Sequence, residues 1–379
     1  MTAYSENDLY QCDVVARARD AYQAGVLSKE SRLNIEQAYP CKLFSPHFFI
    51  AIALGLLTIV SVIFTGALIW LVTGASSGSI GVVCILMSLV GYFFLEMMVK
   101  SKNYFNAGVD NALMGLILFF SGGIFLAYFE TPSWILFNVV LTLISLWLCL
   151  RFADAFMAVI SCGFFLVSVF LLYGKSGNEA VVYAPFVMML IIAFLYFFKK
   201  KIEKKIKFIY EKCLDALTVF LLLAFYGAGN YWVVSQLESS VINATGPIAF
   251  GWAFWAFTFL VPVVYIVYGI LKKDLLHLRT GLVLVAGVAF TYKYYFTLLP
   301  VEIEMLIAGL LMVALSYFFI TWLQSPRYGF TSENTDIQPA WKNVEALIIA
   351  ETMGGYSKPF EDPLMAGGSG GGAGAGGEF

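Results

Sequence analysis

The sequence predicts an all-α fold, a polytopic transmembrane helix bundle of about ten spans with both ends of the chain in the cytoplasm. Of the 379 residues, 60% are hydrophobic and 13% are charged, whereas soluble domains average about 45–50% apolar and about 25% charged residues. The apolar residues also occur in blocks of about 20, the length that a helix needs to cross a hydrocarbon core of roughly 30 Å. Lipid is therefore the expected solvent for most of this chain.

A short helical hairpin, residues 1–45, is expected before the membrane domain and on its cytosolic side. Residues 7–24 read as a helix that Gly25 ends, since glycine suits the left-handed position after a helix. Ser28 is the expected cap of a second helix that stops at Pro40. The pair Ser45-Pro46 repeats the start signal and leads into the first span.

The transmembrane domain is expected over residues 46–324, and each span must be helical because a lipid-exposed backbone has to satisfy its own hydrogen bonds. Ten blocks have the required length. They cover roughly residues 47–73, 80–99, 110–129, 133–150, 154–173, 180–198, 214–237, 247–271, 275–293 and 301–323.

The connections between these blocks alternate in charge. On one side of the membrane lie 21 of the 23 lysine and arginine residues, and only Lys175 and Lys293 lie on the other. The positive-inside rule then places both termini in the cytoplasm and favours an even number of spans. No early apolar run of a cleavable signal peptide is present, so we expect the first span to direct membrane insertion.

Residues 199–213 are the most basic stretch of the chain. Ile202, Ile206 and Ile209 recur there at helical spacing among lysines. Such a helix can lie on the inner leaflet with its lysines near anionic lipid head groups. The alternative is a topological anchor that only enforces orientation.

The cytosolic tail, residues 325–379, ends in a glycine-rich segment, 366–379, that is expected to be flexible. Its last residues, Glu378-Phe379, combine an aromatic ring with a terminal carboxylate, a pair that suits capture by a partner protein. We expect either a docking peptide that acts through Phe379, or a harmless spacer or cloning remnant. The N-terminal hairpin is the second candidate for binding a protein partner.

Four spans that start in the cytoplasm open with an aspartate: Asp110, Asp154, Asp215 and Asp274. Aspartate at a helix start caps free N–H groups and complements the helix dipole. The same four positions would also form an acidic ring around a cytoplasmic pore mouth.

Ionisable residues inside a membrane are candidates for function. Those of this chain lie near the ends of spans, where Glu96 can pair with Lys100, and Arg151 with Asp154. The uncharged side chains of Asn138 and Asn230 lie deeper. Asn230 follows the cluster Gly227-Ala228-Gly229, and such clusters either let helices approach closely or break a helix at a binding site.

Several sequence signatures of catalysis are missing: the chain has no nucleotide-binding glycine loop, HExxH or CxxC. Its six cysteines lack metal-ligand spacing, and we expect free thiols rather than disulfides. His47 and His277 lie near the cytoplasmic interface, where we expect hydrogen bonds more than metal ligation. The sequence therefore predicts no catalytic, cofactor or metal site and no nucleic-acid partner.

The stretch 18–40, with Gly25, Val26, Leu27 and Ser28 between its two helices, resembles the N-terminal hairpin of a family of uncharacterised bacterial polytopic membrane proteins. The resemblance implies a hairpin followed by many spans in a bacterial inner membrane. It implies no activity.

These observations favour a non-enzymatic membrane scaffold or assembly partner. The alternative is a transporter of a small neutral or lipid-like solute, which the glycine interruptions and the span count favour. A polar cavity around Asn138 and Asn230 would support transport, and a dry, close-packed bundle would support a scaffold.

The first prediction concerns topology. Reporter fusions after residues 75, 177 and 242 should report a periplasmic location, and fusions after residues 104, 206 and 328 a cytoplasmic one, because the basic connections stay inside. Paired alkaline phosphatase and fluorescent protein fusions measure both outcomes. A reversed position in the middle of the series would contradict the ten-span topology.

Overall fold

The computed structural model describes residues 2–23, 27–129, 133–203, 208–242 and 248–296, with single positions between 303 and 321. Within these residues the chain forms twelve α-helices, one short 3-10 turn and no strand. Nine of the helices are long and apolar enough to cross a membrane, which confirms the all-α polytopic bundle. The tenth predicted span lies mostly outside the described residues, and the tail with Phe379 lies wholly outside them.

Two helices precede the membrane domain, α1 (Glu6–Gln23) and α2 (Lys29–Ala38). The spanning helices are α3 (Phe48–Val72), α4 (Ser77–Lys102), α5 (Val109–Tyr128), α6 (Trp134–Phe152), α7 (Ala155–Gly174), α8 (Asn178–Glu203), α9 (Glu211–Gly229), α11 (Gly251–Lys272) and α12 (Leu275–Tyr295). The shorter α10 (Tyr231–Ile242) continues α9 after a break. The predicted seventh span, 214–237, is therefore two helices rather than one.

One end of the bundle holds the loops after α4, α6, α8 and α11, and we call it the basic end. Contacts across these loops place them together. Glu96 of α4 pairs with Arg151 of α6, and Tyr210, in the loop after α8, donates a hydrogen bond to the carbonyl of Leu150 in α6. At the same end the side chain of Tyr196, on α8, meets His277 on α12.

Two of the four aspartates cap helices as the sequence predicts. The Asp154 carboxylate accepts a 2.7 Å hydrogen bond from the backbone N–H of Met157 at the start of α7. The Asp274 carboxylate accepts hydrogen bonds from the N–H groups of Leu276 and His277 at the start of α12, at 3.0 and 3.3 Å. Each satisfies backbone donors that no carbonyl of its own helix reaches.

The capping interpretation is wrong for the other two aspartates, because their helices begin earlier in the chain. Gly108 is the N-terminal residue before α5, and Asp110 lies in the first turn, where its carboxylate accepts a 2.9 Å hydrogen bond from the N–H of Ala107 in the preceding loop. Helix α9 starts at Glu211, so Asp215 lies one turn inside it.

The two predicted helices of the N-terminal hairpin are present, and they pack against the bundle. The predicted helix end at Gly25 lies outside the described residues. Ser28 caps α2 by accepting a hydrogen bond from the Ser31 N–H. Tyr4 and Leu9 belong to the largest buried cluster, together with residues of α4 to α7. The Ala3 N–H also donates a 2.8 Å hydrogen bond to the Arg151 carbonyl at the end of α6. The hairpin thus closes part of the basic end.

A disulfide between Cys12 and Cys41 joins α1 to the segment after α2, so the expectation of free thiols is wrong for this pair. The hairpin brings their Cα atoms within 4.7 Å of each other, a proximity that their spacing in the sequence does not reveal. The other four cysteines are free. Because a reducing cytosol keeps thiols reduced, this bridge stands against the cytosolic position that the charge pattern gives to the hairpin.

The basic segment 199–213 does not form a separate interfacial helix in the residues that the structure describes. Its first residues extend α8, where Lys199 is buried and binds Glu203 at 2.9 Å. Residues 204–207, which include Ile206, lie outside the description, and Ile209 is partly buried and packs against the protein core. The lipid contact of the isoleucine stripe stays a prediction.

The second prediction concerns Gly108, which lies against α3. Its φ is +85°, and a Cβ there would lie 1.8 Å from the Ala51 carbonyl oxygen. Changing Gly108 to Ala should lower the free energy of unfolding by more than about 1 kcal/mol, because the backbone and the contact must both shift.

The matched control is Gly115→Ala, where a Cβ would meet no neighbouring atom within 4 Å. This change in a helix interior should leave stability unchanged or raise it by roughly 0.5–1 kcal/mol. Thermal unfolding of the purified variants measures both effects, and equal melting temperatures would contradict the close approach of α3 and α5.

Candidate functional site

The helix that begins at Glu211 breaks at Asn230, inside the bundle. Asn230 adopts an extended backbone conformation, with φ −70° and ψ 130°. Its side-chain Oδ1 accepts hydrogen bonds from the N–H groups of Trp232 and Val233, at 3.0 and 3.3 Å. Asn230 therefore acts as the N-cap of α10. Its Oδ1 accepts hydrogen bonds from N–H groups of the first turn, which have no carbonyl partner within that helix.

The rest of the Asn230 side chain ties the break to α12. Its Nδ2 donates 3.0 Å hydrogen bonds to the hydroxyls of Tyr226 and Thr291. One residue further on, the Tyr231 N–H donates to the Thr258 hydroxyl of α11 at 3.0 Å. Asn230, Thr258 and Thr291 are all buried, so this polar network satisfies its own groups in a region where water is scarce.

A cavity of about 460 Å³ lies beside the break, between α7, α8, α9 and α10. Its wall is apolar apart from Gln236, with Phe170 on α7 and Met188 on α8 among the larger side chains. Gly227 and Ala228 form the α9 side of the wall, and a Cβ added at Gly227 would meet no neighbouring atom within 4 Å. Small residues next to the break therefore keep this wall open.

Neither deep asparagine lines this cavity. The Asn230 side chain forms its hydrogen bonds at the break. The Asn138 Nδ2 donates a 2.7 Å hydrogen bond to the Trp134 carbonyl of its own helix, α6. The sequence predicted either a polar cavity around Asn138 and Asn230 or a dry, close-packed bundle. The structure fits neither, because a cavity is present but it is apolar and is not built around the two asparagines.

The charged candidates hold helices together at the basic end. Arg151 binds Glu96 through Nε and Nη2, at 2.8 and 3.2 Å, and Lys100 reaches the same carboxylate at 2.9 Å. The predicted Glu96–Lys100 pair is thus present. The expected Arg151–Asp154 pair is wrong, because Arg151 faces α4 and Asp154 is used as the cap of α7.

Asp110 and Asp154 are both buried and lie close enough for their charges to interact. Burial raises the pKa of the Asp154 carboxyl, and the charge of Asp110 raises it further, although the hydrogen bond from the Met157 N–H acts in the opposite direction. The Tyr4 phenol has a raised pKa from its own burial and from both carboxylates. These two acids are therefore buried near Tyr4 and do not line an open acidic mouth.

A relay of side chains that the sequence analysis did not assemble joins α8 and α12. The His277 ring is 6% exposed, with Nδ1 2.8 Å from the Asp274 carboxylate and Nε2 3.1 Å from the Tyr196 hydroxyl. Burial raises the pKa of Asp274, but the hydrogen bonds and charge of His277 outweigh it and hold that pKa below its usual value. The Asp274–His277 spacing at a helix start was the available signal, whereas Tyr196 is 81 residues away in sequence.

Comparison with known proteins finds no match to any protein-family model, to any curated protein or to any solved structure. The chemistry of the site therefore has to be argued from its own residues.

The third prediction compares the two deep asparagines. Asn230→Ala removes the cap of α10 and the partners of Tyr226 and Thr291, so it should lower the free energy of unfolding by about 1–3 kcal/mol. Asn138→Ala removes only a hydrogen bond to a carbonyl of its own helix and should cost much less. Thermal unfolding of the two variants decides, and equal losses would remove the special role of the break.

Proposed function

We propose that this multi-pass membrane protein binds a lipid-like solute in the apolar cavity beside the α9–α10 break and carries it across the inner membrane of a bacterium. The observation that supports the proposal is the cavity itself. Its volume of about 460 Å³ lies within the range of roughly 300–1,000 Å³ typical of small-molecule sites.

The lining of the cavity favours an apolar cargo. Apolar side chains dominate it, and Gln236 is its single polar side chain among the described residues. An ion or a sugar would lose its hydration there without gaining polar partners. A hydrocarbon chain has no hydrogen bonds to water that it would lose in the cavity, so the wall suits a lipid tail.

The position of the cavity favours exchange with the membrane leaflet away from the basic end. Gly227 is roughly 24 Å from the start of α9 at Glu211, at 1.5 Å per residue. The wall residues of α7 and α10 are likewise remote from the basic end. In the positive-inside orientation, the cavity opens toward the outer leaflet, and the anionic inner leaflet faces the exposed Lys200 and Lys201.

The helix break supplies a place where the wall can change. Interrupted helices form the substrate sites of many transporters because the two halves meet the cargo separately. Here α10 is a separate 12-residue helix, joined to α9 only through Asn230. A tilt of α10 would alter the cavity while the α9 wall stays fixed.

A scaffold role is the second candidate, and α3 is the observation that favours it. Only Gly55 and Gly66 of this 25-residue helix are buried, so most of its apolar surface faces outward. Such a face suits either lipid or a helix of another membrane protein. The docked N-terminal hairpin, whose α2 has no buried residue, suits a soluble partner.

The fourth prediction tests the cavity with Gly227→Leu. The new side chain should fill the cavity without a backbone clash, because a Cβ at Gly227 has open space around it. Saturable binding of radiolabelled dodecanol to the protein in phosphatidylcholine nanodiscs should weaken by about tenfold or more, which corresponds to about 1.4 kcal/mol. Movement of a fluorescent lipid between the leaflets of proteoliposomes should fall with it.

The matched control is Gly115→Leu, the same change at another helical glycine with open space but remote from the cavity. It should bind dodecanol like the unmodified protein. Binding that is equally strong in both variants would contradict a cavity site. Lost binding without any change in lipid movement would contradict transport.

A further inference from the structure

Glu238 on α10 is a buried carboxylate whose hydrogen-bonding capacity is not filled. The residue is 7% exposed, and its Oε1 has no hydrogen-bond partner. Removing a carboxylate from water costs several kcal/mol unless charge or hydrogen bonds replace the lost hydration. Such groups in folded proteins are therefore paired, and an acceptor without a partner marks a position that a ligand can complete.

Glu238 lies on α10 next to residues that line the cavity, and it is not itself a lining residue. Val234 and Leu237 of α10 line the wall. Glu238 follows Val234 by four residues and Leu237 by one. Residues four apart share a face of a helix, so Glu238 is placed one turn beyond Val234 toward the end of α10. A carboxylate thus lies one helical turn past the apolar wall, on the side of the cavity away from the basic end.

We infer that the ligand of this cavity is an amphiphile with a primary ammonium head group, whose chain fills the cavity and whose N–H groups donate to Glu238. This inference rests on the function proposed above. An ammonium group supplies both the hydrogen bond that Oε1 lacks and the positive charge that offsets its desolvation, and charge-assisted hydrogen bonds are roughly twice as strong as neutral ones.

Other head groups fit the carboxylate less well. A phosphate or carboxylate head group would bring two negative charges together and has no proton to donate. A neutral hydroxyl donates one hydrogen bond but leaves the buried charge of Glu238 uncompensated. Gln236, the polar side chain of the wall, is uncharged and donates from Nε2 to the Tyr294 hydroxyl at 3.4 Å, so it supplies no charge to bind an anionic head group.

The experiment measures binding of dodecylamine and dodecanol to the full-length protein in phosphatidylcholine nanodiscs at neutral pH. Dodecylamine should bind the unmodified protein about tenfold more tightly than dodecanol or more. Glu238→Gln should abolish this ratio and leave dodecanol binding unchanged. Glu30→Gln, which changes an exposed glutamate of α2, should keep the ratio.

A second measurement needs no variant. N-dodecylacetamide has the same chain as dodecylamine but no positive charge, so it should bind the unmodified protein like dodecanol. Competition by phosphatidylethanolamine added to the nanodiscs would identify a lipid head group as the source of the ammonium. Competition by soluble long-chain amines alone would identify a free amine.

The outcomes separate the two proposals. Saturable dodecanol binding with no advantage for dodecylamine, or an advantage that persists in Glu238→Gln, overturns the head-group inference and leaves the cavity function standing. Binding of both probes that is unsaturable, or unaffected by Gly227→Leu, overturns the proposed function as well.

Discussion

Hydrocarbon offers no hydrogen-bond partner to a peptide group, so every N–H and C=O inside the membrane must be satisfied by the protein itself. Long helices meet this requirement along most of the described chain. The break at Asn230 meets it differently, because its side chain accepts from two amides of α10 and donates to Tyr226 and Thr291. The interruption of α9 thus depends on a side chain of α12, and the cavity beside it depends on that interruption.

The two ends of the bundle use charge in opposite ways. At the basic end, charged groups meet one another across elements, as Glu96 does with Arg151 and Arg17 with Glu211. These contacts hold α1, α4, α6 and α9 in register, although the exposed Arg17–Glu211 pair contributes little stability in water. At the other end the described residues include few charges, and the Glu238 carboxylate has an unfilled acceptor. The end with many charges is thus structural, and the end with few holds the candidate site.

Neighbouring glycines have different roles at the break. A Cβ at Gly229 would lie 2.4 Å from the Phe257 ring, so this glycine permits the close contact of α9 with α11. Gly227, two residues earlier, faces open space on the cavity wall. Close packing and helix interruption were alternative interpretations of this cluster, and the structure assigns one to each part of it. The apolar wall and the tight contact are therefore two sides of the same short segment.

The sequence by itself determined the features that depend on bilayer thickness or on residues within one helical turn. These are the nine spans in the described residues and the caps at Ser28, Asp154 and Asp274. The same local rule failed at Asp110 and Asp215, because nothing local revealed that α5 and α9 begin earlier. Only the tertiary structure decided which helix faces which. The pairs Glu96–Arg151, Tyr196–His277 and Cys12–Cys41 join residues 29 to 81 positions apart, and the cavity needs four helices at once. Uniformly apolar spans carry almost no pattern that distinguishes one neighbour from another, so side-chain packing makes that choice.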